Sequence, residues 1–411
     1  QDILVRRARM TGKNACWVPG TDHASIATEA KVVKWLREEK GLKKSDLSRD
    51  EFMKYAWEWT NKYGGIILNQ LKRLGASCDW DRTSFTMDDV RSKGVLKAFV
   101  DLYNRGKIYR GLRMINWDPQ AQTVLSNEEV IHGEENAKLY KLKYVLEEDP
   151  SQSIVISTQR PETIMADAAI AVHPDDERYK HLVGKRVLIP LINKPISIII
   201  DDYVDIEFGT GALKVTPAHD INDYELGKKH NLEVIDILND DGSLNDKAQI
   251  LIGQDRFEAR KSIIKLLEEA DLVDGTIDYK TNIGRSERTN AVVEPKLSLQ
   301  WFVDMKSLAE PALDGVKSGD INFFPKNQVN TYTYWLDNIR DWCISRQLWW
   351  GHRIPAYYYG EDVFVGLDKE EIDAKAKSKF GADFDISLLR QDEDVLDTWF
   401  SSWLWPITVF N

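Results

Sequence analysis

The chain reads as an α/β protein in which a mostly β domain is set inside another domain. Tryptophan usage points to the insertion. Six of the fourteen tryptophans lie between Trp17 and Trp117, eight between Trp301 and Trp405, and residues 118–300 contain none. The flanks and the middle also differ in periodicity. The first part opens with a strand–turn–helix pattern followed by amphipathic helices, whereas the middle holds short alternating apolar runs. Two polar segments, Ser157-Thr-Gln-Arg-Pro-Glu-Thr163 and the stretch from Gly209 to Asp223, both fall inside the Trp-free region.

Gln1 to Met10 reads as a helix already under way, with no capping residue ahead of it. Asn14 to Pro19 has the pattern of a short buried strand ending in Pro19-Gly20. Thr21, Asp22 and His23 follow as a loop, then a helix with Ile26, Ala30, Val33 and Leu36 at helical spacing, stopped by Gly41. Strand, tight loop and helix form the α/β unit whose loop faces ligands. Residues 48–112 read as several helices, one carrying Phe52, Trp59 and Tyr63, another Val95, Phe99 and Leu102.

In the middle region Tyr140, Leu142, Tyr144 and Leu146 alternate with other residues, as in a half-buried strand. Further strands are expected at 153–157, 186–192, 196–200 and 212–216, and helices at 223–230 and 256–269. The flanking domain resumes near Gln300, with strand-to-loop patterns at 341–351 and 394–402 and a charged, helical segment at 367–382.

With 411 residues, two to three domains are expected. Apolar residues make up 43% and charged residues 29%, ordinary for a globular protein. The apolar runs are too short to cross a bilayer, and neither a signal nor a transit segment is visible. A net charge of −11 disfavours nonspecific coating of nucleic acid but is compatible with a basic groove for a structured RNA. Cys16, Cys78 and Cys343 stand apart, which fits a reducing cytoplasm, and no Cys or His cluster suggests zinc. The aromatic run from Trp403 onward ends where more chain should pack against it. A piece of a longer protein is therefore expected.

Several residues invite a chemical reading, each beside a plainer one. Asp22, just after a Pro-Gly turn, could meet a cationic group such as an α-ammonium; equally, Asp22 or Thr21 could cap the next helix. Trp350 and Trp399 could wall a small apolar pocket, or pack a core. Lys214 and Thr216 share one face of a strand, and Asp220 and Asp223 follow on a loop entering a helix. Arg160 adds a charge suited to phosphate or a ribose. The plainer alternative is a set of solvated turn residues with Asp220 as N-cap. His219 could be a general base or structural. Without a Ser-His-Asp or Cys-His order, hydrolysis by activated water is expected, not a covalent intermediate.

Taken together, Pro19-Gly-Thr-Asp-His-Ala24, Arg73 to Arg82, Asn116-Trp117, Arg160-Pro-Glu-Thr163, Gly209 to Asp223, Ser345 to Gly351 and Asp394 to Ser402 resemble the valyl-tRNA synthetases of class I, over essentially the whole chain. The resemblance implies a Rossmann-type catalytic domain interrupted by a mostly β editing (CP1) domain. It places the catalytic domain at 1–137 and 300–411, and the editing domain at 138–299. It also implies that Asp22 holds the ammonium of valine, while Pro19, Trp350 and Trp399 shape the aliphatic pocket. Thr158, Arg160, Phe208, Lys214, Thr216, Asp220 and Asp223 match editing positions. Asp223 would meet the substrate ammonium, and Lys214, Thr216 and Asp220 the threonine hydroxyl.

The implied partners are tRNA(Val), valine and ATP with Mg2+ as substrates of the full-length enzyme, which would be a cytoplasmic monomer. An apolar pocket cannot strongly reject an isostere that merely adds a hydroxyl, and valyl-tRNA synthetases facing threonine are themselves the known example. A polar second pocket reverses that preference, because valine would leave buried donors and acceptors unpaired.

The family's ATP motifs belong upstream of Gln1 and beyond Asn411, so the chain by itself is expected not to form valyl-adenylate. Zinc knuckles of many relatives have no cysteines to match here. Ser25 stands where the family usually has Gly, and Gln159 is a departure within the Arg-Pro-Glu-Thr loop. The rival readings are an isoleucyl- or leucyl-type synthetase, and a stand-alone deacylase or tRNA-binding protein.

Overall fold

The computed structural model describes residues 1–410. By contact the chain divides into two compact units, one made of Gln1–Gly111 with Gln300–Asn411 and the other of Leu112–Leu299. The second unit starts well before residue 138. Asn116–Asp118 pair with Thr123–Leu125, and residues 130–139 pair with 277–286 in a long ribbon that belongs to the same unit.

Five helices lead the first unit: Asp2–Met10, Ser25–Trp35, Arg49–Tyr63, Ile66–Arg73 and Asp89–Asn104. Ser48 and Glu51 start the third with a reciprocal capping box, which satisfies two otherwise orphaned N–H groups. A five-residue π-turn, Leu36–Lys40, extends the second, and Gly41 ends it in the left-handed region at φ 66°. One core joins Val95, Phe99, Trp301, Ile344, Leu396 and Phe400; another joins Val32, Leu36, Phe52 and Trp350. The charged segment forms the helix Lys369–Phe380.

The strand expected at 14–19 does not form. Only Gly20–Thr21 is a strand, parallel to Ser84–Phe85. Pro19 has no N–H to give a ladder, so its carbonyl, which accepts from Ser84, is its whole contribution. Glycine is required at position 20. A Cβ there would lie 2.1 Å from the Trp405 ring and 2.8 Å from the Ser84 carbonyl.

In the second unit the strands used below are β1 (Val130–Val145), β2 (Ser153–Thr158), β3 (Ala169–Val172), β4 (Arg186–Leu188), β5 (Pro195–Ile200), β6 (Ala212–Val215) and β7 (Val273–Ser286). The helices used below are α1 (Ile221–Lys229) and α2 (Arg256–Glu269). β7, β1 and β2 form an antiparallel sheet. β6, β3, β5 and β4 form a mixed one in which only β3 and β5 run parallel. Leu142, Tyr144, Ile156, Ile170, Ile198 and Ile263 share the main core, so the alternation of β1 is what turns those side chains inward.

Two departures from expectation have local causes. β4 stops at Leu188 because Pro190 and the left-handed Leu191 and Asn193 make a turn that closes from Ile189 N–H to the Lys194 carbonyl at 2.8 Å. β7 was not anticipated, since residues Asp274–Asp278 are all exposed and leave no apolar period to read. Among the described residues no helix is long and apolar enough to cross a membrane, and no group of three or more His, Cys, Asp or Glu is placed to hold a metal.

Candidate functional site

In the second unit β6 delivers Lys214 and leads directly into Thr216 and the start of α1. Lys214 and Thr216 touch, as the strand period requires. The Lys214 ammonium donates to the Thr216 hydroxyl, to Thr163 Oγ1 at 3.1 Å and to Asp167 Oδ1 at 3.2 Å. Thr216 Oγ1 donates to the same Asp167 oxygen at 2.7 Å, and the Tyr144 hydroxyl donates to the other. Asp167 is fully buried. Burial raises its carboxyl above the usual range, and Lys214 with the hydroxyls offsets only part of that.

Asp223 lies in the first turn of α1 and turns back toward the strand. Its Oδ2 accepts the Thr216 main-chain N–H at 2.8 Å. Asp220 is the N-cap, accepting from the N–H groups of Asn222 at 2.8 Å and Asp223 at 3.1 Å, so the capping role left open above is realised. Burial, followed by the like charge of Asp220, pushes the Asp223 carboxyl up to about 7, against the pull of Lys214 and of the Thr216 N–H. A buried carboxyl poised near neutrality, beside a fixed cluster of donors and acceptors, can receive a cation or a proton.

Thr158 is buried at the end of β2, where its hydroxyl accepts from Arg160 N–H at 3.0 Å. All three nitrogens of the Arg160 guanidinium have internal partners. Nε donates to Glu162 at 3.1 Å, Nη2 to Glu294 at 2.5 Å and Nη1 to the His219 carbonyl at 3.1 Å. Arg160 therefore braces the turn before Asp220 and does not stand free for a phosphate. Burial opposes its charge, but Glu294 and Glu162 more than offset that. Phe208 is 49% exposed and packs edge-on against Tyr279, with ring centres 6.1 Å apart.

His219 is buried, and its Nε2 accepts the Ile237 N–H at 3.2 Å. Burial, then Arg160 and Lys214, hold its imidazole well below the ordinary value, so it is neutral. Lys214, Thr216, Asp220 and Asp223 are thus brought together, with Arg160 bracing them from behind.

The first unit gathers its own candidates. Trp350 is fully buried; its indole N–H donates to the His23 carbonyl at 2.8 Å. The main-chain N–H groups of Trp349 and Trp350 both donate to Glu29, at 2.8 and 2.9 Å. Helix Ser25–Trp35 has neither Asp22 nor Thr21 as its cap: Ala24 occupies that position in the left-handed region, at φ 45°. Thr398 supplies the missing acceptor, 2.9 Å from Ser25 N–H. Asp22 is left exposed, Pro19 is buried and Trp399 is 66% exposed.

Sequence reasoning missed Asp167, Glu29 and the carboxylates Glu162 and Glu294. Asp167 did leave a signal, as the one charged residue within Ile164-Met-Ala-Asp-Ala-Ala-Ile-Ala-Val172. A charge in such a run is expected only if it is paired. Glu29 lies one turn after Ile26, on the apolar face.

The family model for class I tRNA synthetases (I, L, M and V) matches residues 1–411. The chain belongs to the class I tRNA synthetases. Within this family it is 61% identical over 414 residues to the valine–tRNA ligase of Bacteroides thetaiotaomicron, covering 100% of this chain and 47% of that one. It is 58% identical to the valine–tRNA ligase of Christiangramia forsetii and 53% to that of Fusobacterium nucleatum, again over the whole of this chain and 47% and 46% of theirs. This synthetase chain thus spans just under half the length of those curated relatives. A leucyl synthetase of Agrobacterium radiobacter K84, solved as a ternary complex with tRNA and LeuAMS, aligns with a TM-score of 0.34 and 16% identity. The alignment covers 99% of this chain and 59% of that one, and a likeness so slight carries no argument.

Proposed function

We propose that the chain belongs to a valine–tRNA ligase, which joins valine to tRNA(Val) at the expense of ATP supplied with Mg2+. We further propose that its second unit hydrolyses threonyl-tRNA(Val). The observation that carries the hydrolytic reading is the convergence of Asp223 on Thr216, beside the buried Lys214–Asp167 pair. On this reading the ionised Asp223 holds the α-ammonium of the mischarged amino acid. Lys214, Thr216 and Asp220 offer the polar surroundings that a threonine hydroxyl satisfies and a valine methyl does not.

The residues already stand in fixed hydrogen bonds, so they need little reorganisation when the substrate enters. The Thr216 hydroxyl is held between Lys214 and the buried Asp167 as part of the frame, which favours attack by water. In the first unit, Asp22 would hold the ammonium of valine, with Pro19, Trp350 and Trp399 around its side chain. The exposure of Asp22 and the anchoring of Trp350 to the His23 carbonyl support that arrangement. The same reading makes the protein a cytoplasmic monomer.

The test is deacylation. Threonyl-tRNA(Val) should lose its amino acid in the presence of the chain, valyl-tRNA(Val) should persist, and Asp223→Ala should remove the difference. Equal hydrolysis of both, unaffected by Asp223→Ala, would refute the assignment.

A further inference from the structure

A cavity of about 910 Å3 opens in the second unit between the β1–β7 ribbon and the N-terminal turns of α2. None of Thr158, Arg160, Phe208, Lys214, Thr216, Asp220 and Asp223 lines it. Its volume suits a ligand of cofactor or nucleotide size. Charge decides between classes of ligand. Lys138, Arg256, Arg260 and Arg285 face it, but so do Glu135, Asp241, Asp255 and Asp278. Arg285 is already paired with Glu135 at 2.7 Å. With four charges of each sign the wall carries no net charge, so a free polyanion gains little by entering it.

Flat and amphoteric groups fit better. Phe257 is half-buried on the wall, and the Arg256 and Arg260 guanidinium carbons lie over its ring, 4.4 and 5.4 Å from its centre. A ring with guanidinium groups close to it offers a surface that a base can extend. Asn136 and Gln159 also line the cavity, and their carboxamides have no protein partner among the described residues. Each offers the paired donor and acceptor that matches the edge of a base.

The same wall is tied to the candidate hydrolytic site by two buried carboxylates. Arg260 makes a bidentate pair with Glu162, 2.8 Å on each arm, and Glu162 accepts from Arg160. Arg256 meets Glu294 at 2.8 Å, and Glu294 also accepts from Arg160. Two arginines that face the cavity thus converge, through two glutamates, on the one arginine that braces the turn before Asp220.

We infer that this cavity takes an unpaired nucleobase of the RNA strand whose 3′ end reaches Asp223, with Phe257 and its flanking guanidiniums as the stacking face and Asn136 and Gln159 reading the base edge. This rests on the hydrolytic reading proposed above. A base in the cavity bears on Arg256 and Arg260, and so on the ion pairs that hold Arg160.

The experiment uses the whole chain and a threonylated RNA hairpin with a short unpaired 3′ end, each unpaired base being replaced in turn by an abasic site. Asn136→Ala, Gln159→Ala and Phe257→Leu should raise KM for the RNA about tenfold or more, while kcat stays within about twofold. Asn136 is exposed, so its truncation does not threaten the fold. One abasic position should raise KM on the unaltered chain and add little on Phe257→Leu. The inference is overturned if all three variants keep the original KM while Asp223→Ala still abolishes hydrolysis. It is equally overturned if every abasic penalty is the same on Phe257→Leu. Should Asp223→Ala leave hydrolysis intact, the hydrolytic reading fails instead. In that case quenching of 2-aminopurine placed at the sensitive position, lost in Phe257→Leu, still supports the cavity, and its absence sinks it.

Discussion

Asp223 accepts the main-chain N–H of Thr216 at 2.8 Å, which ties the first turn of a helix back onto the strand that precedes it. That contact holds the carboxylate buried next to Asp220, and burial and the like charge of Asp220 raise its proton affinity to about 7 against the pull of Lys214 and of the Thr216 N–H.

The pH dependence follows from the sign of that shift. A carboxyl that binds its proton more tightly in the folded state than at its ordinary 3.8 makes folding less favourable as pH rises from about 4 to about 7. Above that window the penalty is complete, with a ceiling on the order of 4 kcal/mol. Asp223→Asn keeps an oxygen for the Thr216 N–H and removes the charge. It should raise the thermal midpoint of the chain at pH 8 and leave it nearly unchanged at pH 4, as followed by circular dichroism. An equal effect at both values would show that charge burial is not the cause. In deacylation, kcat/KM should climb with pH through about 7 as Asp223 ionises and becomes able to hold an ammonium. The Asn variant should be slow and flat.

Lys214 and Asp167 are a buried pair whose members depend on each other. Asp167→Ala leaves an ammonium in the core without a countercharge, and should cost about 3–5 kcal/mol in urea unfolding. The double replacement Asp167→Leu with Lys214→Met should cost markedly less than the single one, since apolar residues of similar size fill the site without a stranded charge. Additive losses would argue against direct coupling.

The first unit makes a smaller prediction. Thr398→Val keeps the shape but removes the hydroxyl that accepts from Ser25 N–H and meets the Ser25 hydroxyl at 2.8 Å. The helix Ser25–Trp35 then loses the one side-chain acceptor it has at that end among the described residues, at a cost of roughly 0.5–2 kcal/mol. The loop carrying Asp22 should exchange its amide hydrogens faster, while exchange in the second unit is unaffected. Unchanged protection at residues 22–26 would mean that Thr398 does not hold the loop.

Local sequence was most informative where one periodic pattern coincided with one element. The helix Arg256–Glu269 begins and ends where its apolar spacing places it. Lys214 and Thr216 could be put on one face because the strand period is fixed at two. The β1–β7 ribbon was hidden for the opposite reason, because a two-stranded arm solvated over much of its length does not alternate.

The residues that brace each site were harder to find. Glu162, Asp167 and Glu294 are ordinary carboxylates in the sequence. Their pairing with Arg160, Arg260 and Lys214 spans separations of up to 134 residues and exists only once the sheets and α2 have packed.

From its order of residues alone this protein fixed its class, its mixture of helices and strands, and the polar segments that carry its chemistry, since periodicity and short motifs are properties of neighbours in the chain. Packing decided the rest: which acids are buried and which guanidiniums brace them, that Asp220 caps a helix while Asp22 does not, and that Trp350 is buried while Trp399 faces water. Burial and distant pairing set the energy of a charge, and both are absent until the chain has closed on itself.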